Sequence, residues 1–284
     1  MTTNPLIDAA TLHARLGKPG WVIVDCRFNL QEPAAGHAAY GRGHIPGARY
    51  ADLDRDLARP PARSEGRHPL PDPAAFAAKL GEWGIAPDDT IVAYDEASGA
   101  IAARLWWLAR WIGHRAETRV LDGGFAAWQA AQFPVETALP AWQPKHYPAP
   151  GTTSATVVDT NEIPARQQAG DLVVDARSAP RYRGEQEPID PIAGHVPGAR
   201  NWPFSNNSVA GVFRPAAELR RDLLQVLDGR EPQQLIAMCG SGVTACQLLL
   251  AMAVAGLEGG KLYAGSWSEW IRDPKRPFAT GTEP

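Results

Sequence analysis

Of the three cysteines in the chain, Cys239 has the neighbours that could make it reactive. It follows the apolar run LIAM, opens the stretch CGSGVT, and precedes the helix-like pattern ACQLLLAMAVA, which Gly256 closes. Two glycines in so short a strand-to-helix turn allow unusual backbone angles and close approach. Such a turn aims several N–H groups at one point, and the helix that follows adds partial positive charge there. The backbone of Gly240, Ser241, Gly242, Val243 and Thr244 is therefore expected to cradle an anion. A thiolate on Cys239 would be that anion, and a thiolate is the nucleophilic form of cysteine. The competing reading is a core cysteine packed as a small hydrophobe. That reading is adopted for Cys26, inside a strand-like run, and for Cys246, on the apolar helix.

Composition narrows the remaining classes. Lys and Arg number 28 against 31 Asp and Glu, giving a net charge of -3, with 44% hydrophobic and 21% charged residues. This is the balance of an ordinary globular protein, without the basic patch that nucleic acid requires. No apolar run approaches the roughly 20 residues of a membrane span, and the N-terminus lacks the pattern of a signal peptide. Neither a nucleic-acid nor a membrane partner is expected. Three cysteines and seven histidines never form a ligand string, so no metal or other cofactor is expected. An odd, sparse cysteine set also suits a reducing compartment, which points to the cytoplasm.

The elements that must position Cys239 are announced twice. VIVDCR at 22–27 returns as LVVDAR at 172–177, and GHIPGAR at 43–49 as GHVPGAR at 194–200. IVAYD at 91–95 matches LIAMC at 235–239, and GGFAAW at 123–128 matches GSWSEW at 265–270. Four matches in the same order indicate a tandem duplication. In each half, short apolar runs alternate with amphipathic stretches such as PAAFAAKLGEWG and AAELRRDLLQVL, which predicts an α/β domain with a mostly parallel sheet flanked by helices. The proline-rich stretch TALPAWQPKHYPAPG reads as an extended connection. The expected division is a first domain over 1–141, a linker over 142–155 and a second domain over 156–284. Asp25, Asp175 and the two GH-PGAR turns are expected to serve backbone geometry. The position matching Cys239 is Asp95, so the first copy keeps the frame without the nucleophile.

Together these motifs resemble the tandem-domain rhodanese family of sulfurtransferases, over essentially the whole chain. The resemblance implies two rhodanese-like domains, the first without a catalytic cysteine, and a persulfide formed on Cys239. Sulfur would pass from a small-molecule donor, 3-mercaptopyruvate or thiosulfate, to a thiol or cyanide acceptor, a thioredoxin-like protein among the candidate thiols. The fold is also similar to that of cysteine phosphatases, but those need a longer loop ending in arginine to grip a phosphate. Here Ala245 stands six residues after Cys239, and the loop has no arginine.

The uncharged loop resembles the mercaptopyruvate branch, in which the departing enolate needs a proton. The resemblance maps a relay onto Ser241, His68 and Asp54 and a donor-binding arginine onto Arg181, with Arg183 close by. Arg104, on the matching helix of the first half, is a further candidate to face the cleft, or else a salt-bridge partner in the domain interface. Ile189 stands where that branch carries a second arginine, which keeps thiosulfate open. Trp267 and Trp270 are expected to pack beside the active loop. A carrier module that accepts persulfide without turning over small molecules is the alternative from another class.

Overall fold

The computed structural model describes residues 4–148 and 156–283, which divide into two compact units. The first comprises residues 1–59, 70–153 and 210–213, and the second 60–69, 154–209 and 214–284, as far as each is described.

The first unit is built from β1 (Leu6–Ile7), α1 (Ala9–His13), β2 (Trp21–Asp25), α2 (Ala34–Arg42), β3 (Arg49–Tyr50), α3 (Pro73–Glu82), β4 (Thr90–Tyr94), α4 (Ala102–Trp111), β5 (Thr118–Leu121) and α5 (Gly124–Ala130). Its strands form a parallel sheet in the order β1-β5-β4-β2-β3. The second unit contains α6 (Ile163–Gln168), β6 (Leu172–Asp175), α7 (Ala179–Tyr182), β7 (Arg200–Asn201) and β8 (Ser208–Val209). The short β9 (Val212–Phe213) counts with the first unit, and the second resumes with α8 (Ala216–Leu227), β10 (Leu235–Met238), α9 (Thr244–Val254), β11 (Lys261–Leu262) and α10 (Ser266–Trp270). Its parallel sheet runs β11-β10-β6-β7, the order of β5-β4-β2-β3 in the first. Both halves are α/β, as the alternation of elements predicts.

Central strands of such sheets are covered on both faces, which explains their unbroken apolar runs. Val173, Ile236, Met238, Tyr263 and Trp267 share one core in the second unit, and Ile23, Val92, Tyr94, Phe125 and Trp128 share one in the first. The sequence repeats have a common physical cause. At the end of β2, Arg27 Nη2 donates to Asp25 Oδ2 at 2.6 Å and to Gly43 O at 2.7 Å, and its guanidinium lies over Phe125 at 4.2 Å. At the end of β6, Arg177 Nη2 donates to Asp175 Oδ2 at 2.6 Å and to Gly194 O at 2.7 Å, over Trp267 at 4.8 Å. Both aspartates are fully buried. The turn histidines are likewise stacked, His44 on Tyr40 and His195 on Tyr182. These motifs fasten strand ends to turns and leave their carboxylates no role at a surface.

The expected linker is partly held in place. Trp142 Nε1 donates to Glu82 O at 2.7 Å, and Lys145 Nζ donates to Asp89 Oδ2 at 2.6 Å. Residues 149–155 of that stretch lie outside the described residues.

A buried ion pair that loses one member leaves the other charge uncompensated, at a cost of about 3–5 kcal/mol. Asp25→Ala strands the Arg27 guanidinium and also removes the acceptor of the Tyr94 hydroxyl. Urea unfolding of the variant should show a loss in that range. A loss under about 1 kcal/mol, typical of an exposed pair, would contradict this account of the strand ends.

Candidate active site

Cys239 leaves the carboxyl end of β10, the position at which open α/β sheets bind ligands. It is 2% exposed, and the amide of Gly242 donates to its Sγ at 3.1 Å. Gly242 reaches this geometry with φ +76°, and a Cβ there would sit 2.4 Å from Ala264 O, so only glycine fits. Val243 caps α9 and Thr244 opens it, placing the loop against a helix N-terminus. The loop is clamped from its other side by α10. The amides of Trp267 and Ser268 donate to the carbonyls of Cys239 and Gly240 at 3.0 and 2.9 Å. Ser266 Oγ accepts from the Cys239 amide at 3.1 Å and donates to Tyr263 O at 2.8 Å.

The first unit repeats this construction around a different anion. Asp95 directly follows β4, and its carboxylate accepts from the amides of Ala97, Gly99, Ile101 and Ala102 at 3.2, 3.0, 2.8 and 3.1 Å. Gly99 has φ +70°, close to that of Gly242. Phe125 and Ala126 of α5 donate to the carbonyls of Asp95 and Glu96, as Trp267 and Ser268 do in the second unit. Burial raises the Asp95 carboxyl above its ordinary pKa, with the loop amides opposing that shift. The same loop, cut from the same duplication, thus collects backbone donors around whatever its first residue presents.

The other two cysteines differ from Cys239. Cys26 is fully buried, and burial together with the nearby carboxylates of Asp25, Asp95 and Asp56 pushes its thiol well up. Cys246 donates its thiol proton to Gly242 O at 3.3 Å and packs inside α9.

His68 Nδ1 lies 2.7 Å from Ser241 Oγ, and both residues are buried. The pairing exists because residues 60–69 belong to the second unit although they precede most of the first. That segment is fastened by the Gly66 amide to Glu269 Oε2 at 3.3 Å and by the Arg67 amide to Ser268 Oγ at 3.1 Å. A Cβ on Gly66 would lie 2.4 Å from Gly265 O, so the close approach needs glycine.

Arg181, in α7, stands near the loop, 3.5 Å from the point where a Cβ of Gly240 would lie. Glu187 grips it at Nε and Nη2, the latter at 2.7 Å, and Arg181 helps hold the Glu187 carboxyl below its ordinary range against the effect of burial. Arg183 is engaged by Glu185 instead. Trp267 is fully buried with Nε1 donating to Ile192 O, which makes its part structural.

Two of the expected residues, Asp54 and Arg104, fall in the first unit. Asp54 belongs to the first unit, where its amide donates to Asp52 Oδ1 at 2.9 Å. Arg104 lies on α4. It is fully buried, its Nε donating to Leu57 O at 3.2 Å, on a helix whose every residue but Arg110 is buried. Residues that sequence reasoning passed over include Ser266, Arg67, Glu187 and Asp190. For Ser266 a signal existed, since GSWSEW aligns with GGFAAW and puts a serine against Gly124, which has φ +56°.

The geometry finds its counterpart in known proteins. A rhodanese-like domain model matches residues 8–131 and again 159–273. The chain is 46% identical over 284 residues to a protein of Pseudomonas aeruginosa named "Probable 3-mercaptopyruvate sulfurtransferase", covering 99% of this chain and 100% of that one. It is 32% identical to the thiosulfate sulfurtransferase of Rattus norvegicus, over 91% of this chain and 88% of that one. The 3-mercaptopyruvate sulfurtransferase of Leishmania major superposes with a TM-score of 0.82 at 32% identity, over 95% of this chain and 75% of that one. The chain belongs to the rhodanese family, with two rhodanese-like domains in tandem. It is a sulfurtransferase, and the carrier alternative gives way to an enzyme.

Ser266 has φ +55°, a region L-residues avoid, while its hydroxyl orients the backbone of the cysteine. Ser266→Gly removes that hydrogen bond together with the one to Tyr263 O, and relieves the backbone. The melting temperature should hold or rise slightly while kcat/KM for sulfur transfer falls about tenfold, the equivalent of one hydrogen bond of ~1.4 kcal/mol. Unchanged turnover would reduce Ser266 to a packing residue.

Proposed function

We propose that Cys239 attacks as a thiolate and carries the transferred sulfur as a persulfide, and that 3-mercaptopyruvate is the preferred donor. The observation that carries the reading is the buried Ser241–His68 hydrogen bond two residues from the nucleophile, at 2.7 Å. The two candidate donors differ in what leaves. When the thiolate attacks the sulfur of thiosulfate, the S–S bond breaks and its electron pair departs with sulfite, already a stable anion. When it attacks the sulfur of 3-mercaptopyruvate, the C–S bond breaks and the pair goes to carbon as an enolate. That enolate becomes pyruvate only on taking a proton, while the donor's own S–H proton is released from the new persulfide. A hydroxyl backed by an imidazole is the general acid such a step requires. On the resemblance, Asp54 would orient the imidazole.

The terminal persulfide sulfur is held by the amides of the loop from Gly240 to Thr244, which already presents the Gly242 N–H to Sγ. A thiol or cyanide then attacks that sulfur, and the electron pair of the S–S bond returns to Cys239. Cyanide leaves as thiocyanate, and a thiol leaves as a persulfide. A compact dithiol protein of the thioredoxin kind suits the second role in a reducing cytoplasm. Arg181 is the cation for the donor's anionic end. The mercaptopyruvate assignment in the relative from Pseudomonas aeruginosa agrees with this preference.

Cys239→Ser should abolish turnover with either donor while leaving the protein folded. Ser241→Ala separates the donors. Pyruvate release from 3-mercaptopyruvate should fall by about 10²-fold or more, the worth of a positioned general acid, while sulfite release from thiosulfate falls less than about tenfold. Equal losses with both donors would remove the proton-relay reading.

A further inference from the structure

Helix α10 holds two partners at once. The amides of Trp267 and Ser268 bind the carbonyls of Cys239 and Gly240. Its side chains hold the segment that carries His68. Ser268 Oγ accepts from the Arg67 amide at 3.1 Å, and its own proton goes to Gly265 O at 3.4 Å. Glu269 Oε2 accepts from the Gly66 amide at 3.3 Å, and Glu269 Oε1 accepts from the Thr160 hydroxyl. With the one Thr160 proton given to that carboxylate, the Tyr263 hydroxyl, 2.9 Å away, donates to Thr160 Oγ1. The carboxylate is thereby held at both oxygens. Arg272, just past α10, adds a bond from its Nε to Glu65 O at 3.3 Å.

Glu65, Gly66 and Arg67 are thus tied to α10 and its extension immediately before His68. The segment 60–69 has no helix or strand of its own to fix that position. Its backbone is set from outside. Two glycines make room for the ties: a Cβ on Gly66 would lie 3.0 Å from Ser268 Oγ, and a Cβ on Gly265 would collide with the Glu269 carboxylate. Ser268 is 2% exposed and meets both partners, its amide on the cysteine loop and its hydroxyl on the His68 segment. Proton transfer needs heavy atoms about 2.6–3.2 Å apart, and a displacement of about 1 Å costs much of the rate. The 2.7 Å between His68 Nδ1 and Ser241 Oγ joins two stretches of chain whose common support is α10.

We propose that Ser268 and Glu269 are positioning residues for proton transfer, through which α10 holds the His68 imidazole against Ser241 in the same frame as the nucleophile. This rests on the reading of Ser241 and His68 as the proton source for the departing enolate. In the step they serve, the C–S bond of 3-mercaptopyruvate breaks and its electron pair goes to carbon, which takes the Ser241 hydroxyl proton. His68 Nδ1 returns a proton to the Ser241 oxygen, and the proton released from the donor's sulfur restores the imidazole. No proton is gained or lost. Acting through His68, the pair governs the rate with the donor that needs a proton and not the affinity for it. Thiosulfate, whose sulfite departs without a proton, is the internal control.

The test compares steady-state release of pyruvate from 3-mercaptopyruvate and of sulfite from thiosulfate by the full-length protein, with cyanide as acceptor. Ser268→Ala and Glu269→Ala should each lower kcat for pyruvate release about tenfold with KM moving less than about threefold, while sulfite release falls less than about threefold. Glu269→Gln should recover most of the loss, because its amide oxygen still accepts from Gly66 and its NH2 group donates to the Thr160 oxygen. Ser268→Ala, which trims one hydroxyl, carries the comparison should Glu269→Ala fail to fold. Added to Ser241→Ala, Ser268→Ala should cause no further loss of pyruvate release, since residues that act through one group are not additive. Pyruvate release unchanged in Ser268→Ala would overturn the proposal. So would matched losses with both donors, or a full additional loss in the double variant, either of which would make the two residues general supports of the loop. Failure of the underlying reading looks different: Ser241→Ala would then itself leave the ratio of the two donors unchanged.

Discussion

A strand-to-helix turn whose backbone N–H groups point at the side chain of its first residue is the constraint on which the rest of this molecule depends. It occurs twice, and the two occurrences explain each other. In the first unit that side chain is the Asp95 carboxylate, which collects four amides and closes the turn permanently. In the second unit the corresponding residue is Cys239, with the Gly242 amide on its sulfur. A carboxylate satisfies the turn and does no chemistry there. A sulfur at the same place can take a second sulfur and give it up, and the donors that suit a thiolate also suit the persulfide. Duplication followed by divergence thus yields a copy of the turn that begins with aspartate and a copy that begins with cysteine.

The surroundings of that loop are made rigid by charge pairs that sequence repeats advertise. Asp25–Arg27 and Asp175–Arg177 lock the ends of the strands beside β4 and β10 to the turns at Gly43 and Gly194. Helices α5 and α10 then hold the loop carbonyls with two amides each. Precise placement matters because a nucleophile misplaced by about an ångström loses much of its rate. The charged groups near Cys239 are held as tightly, Arg181 by Glu187 and Arg67 by Asp190, so positive charge is present at the loop without being free to collapse onto the sulfur.

The repeated α/β frame and the cysteine loop were legible because they rest on local rules. Apolar runs mark buried parallel strands, glycines mark turns that no other residue can make, and a cysteine between them is conspicuous. The paired aspartate and arginine two residues apart were visible as motifs, and burial explains why they are structural. What could not be read was long-range. Nothing in SEGRHPLP shows that Gly66 and Arg67 meet α10 some 200 residues later, an association made by one glycine's close approach and by two backbone amides donating to the side chains of Glu269 and Ser268. The burial of Arg104 was equally hidden, because an arginine in sequence does not reveal that α4 is covered on nearly all sides. Ser266 escaped because its left-handed backbone is a property of the folded turn, and only the glycine at the matching place in the first half hinted at it.

The direct test is to supply 3-mercaptopyruvate to the enzyme without any acceptor, and then to map the product by mass spectrometry of peptides prepared under non-reducing conditions. One added sulfur atom on the peptide bearing Cys239, removed again by cyanide with release of thiocyanate, is the predicted result. Sulfur found on Cys26 or Cys246 instead, or pyruvate formed with no sulfur bound to the protein at any stage, would contradict the account.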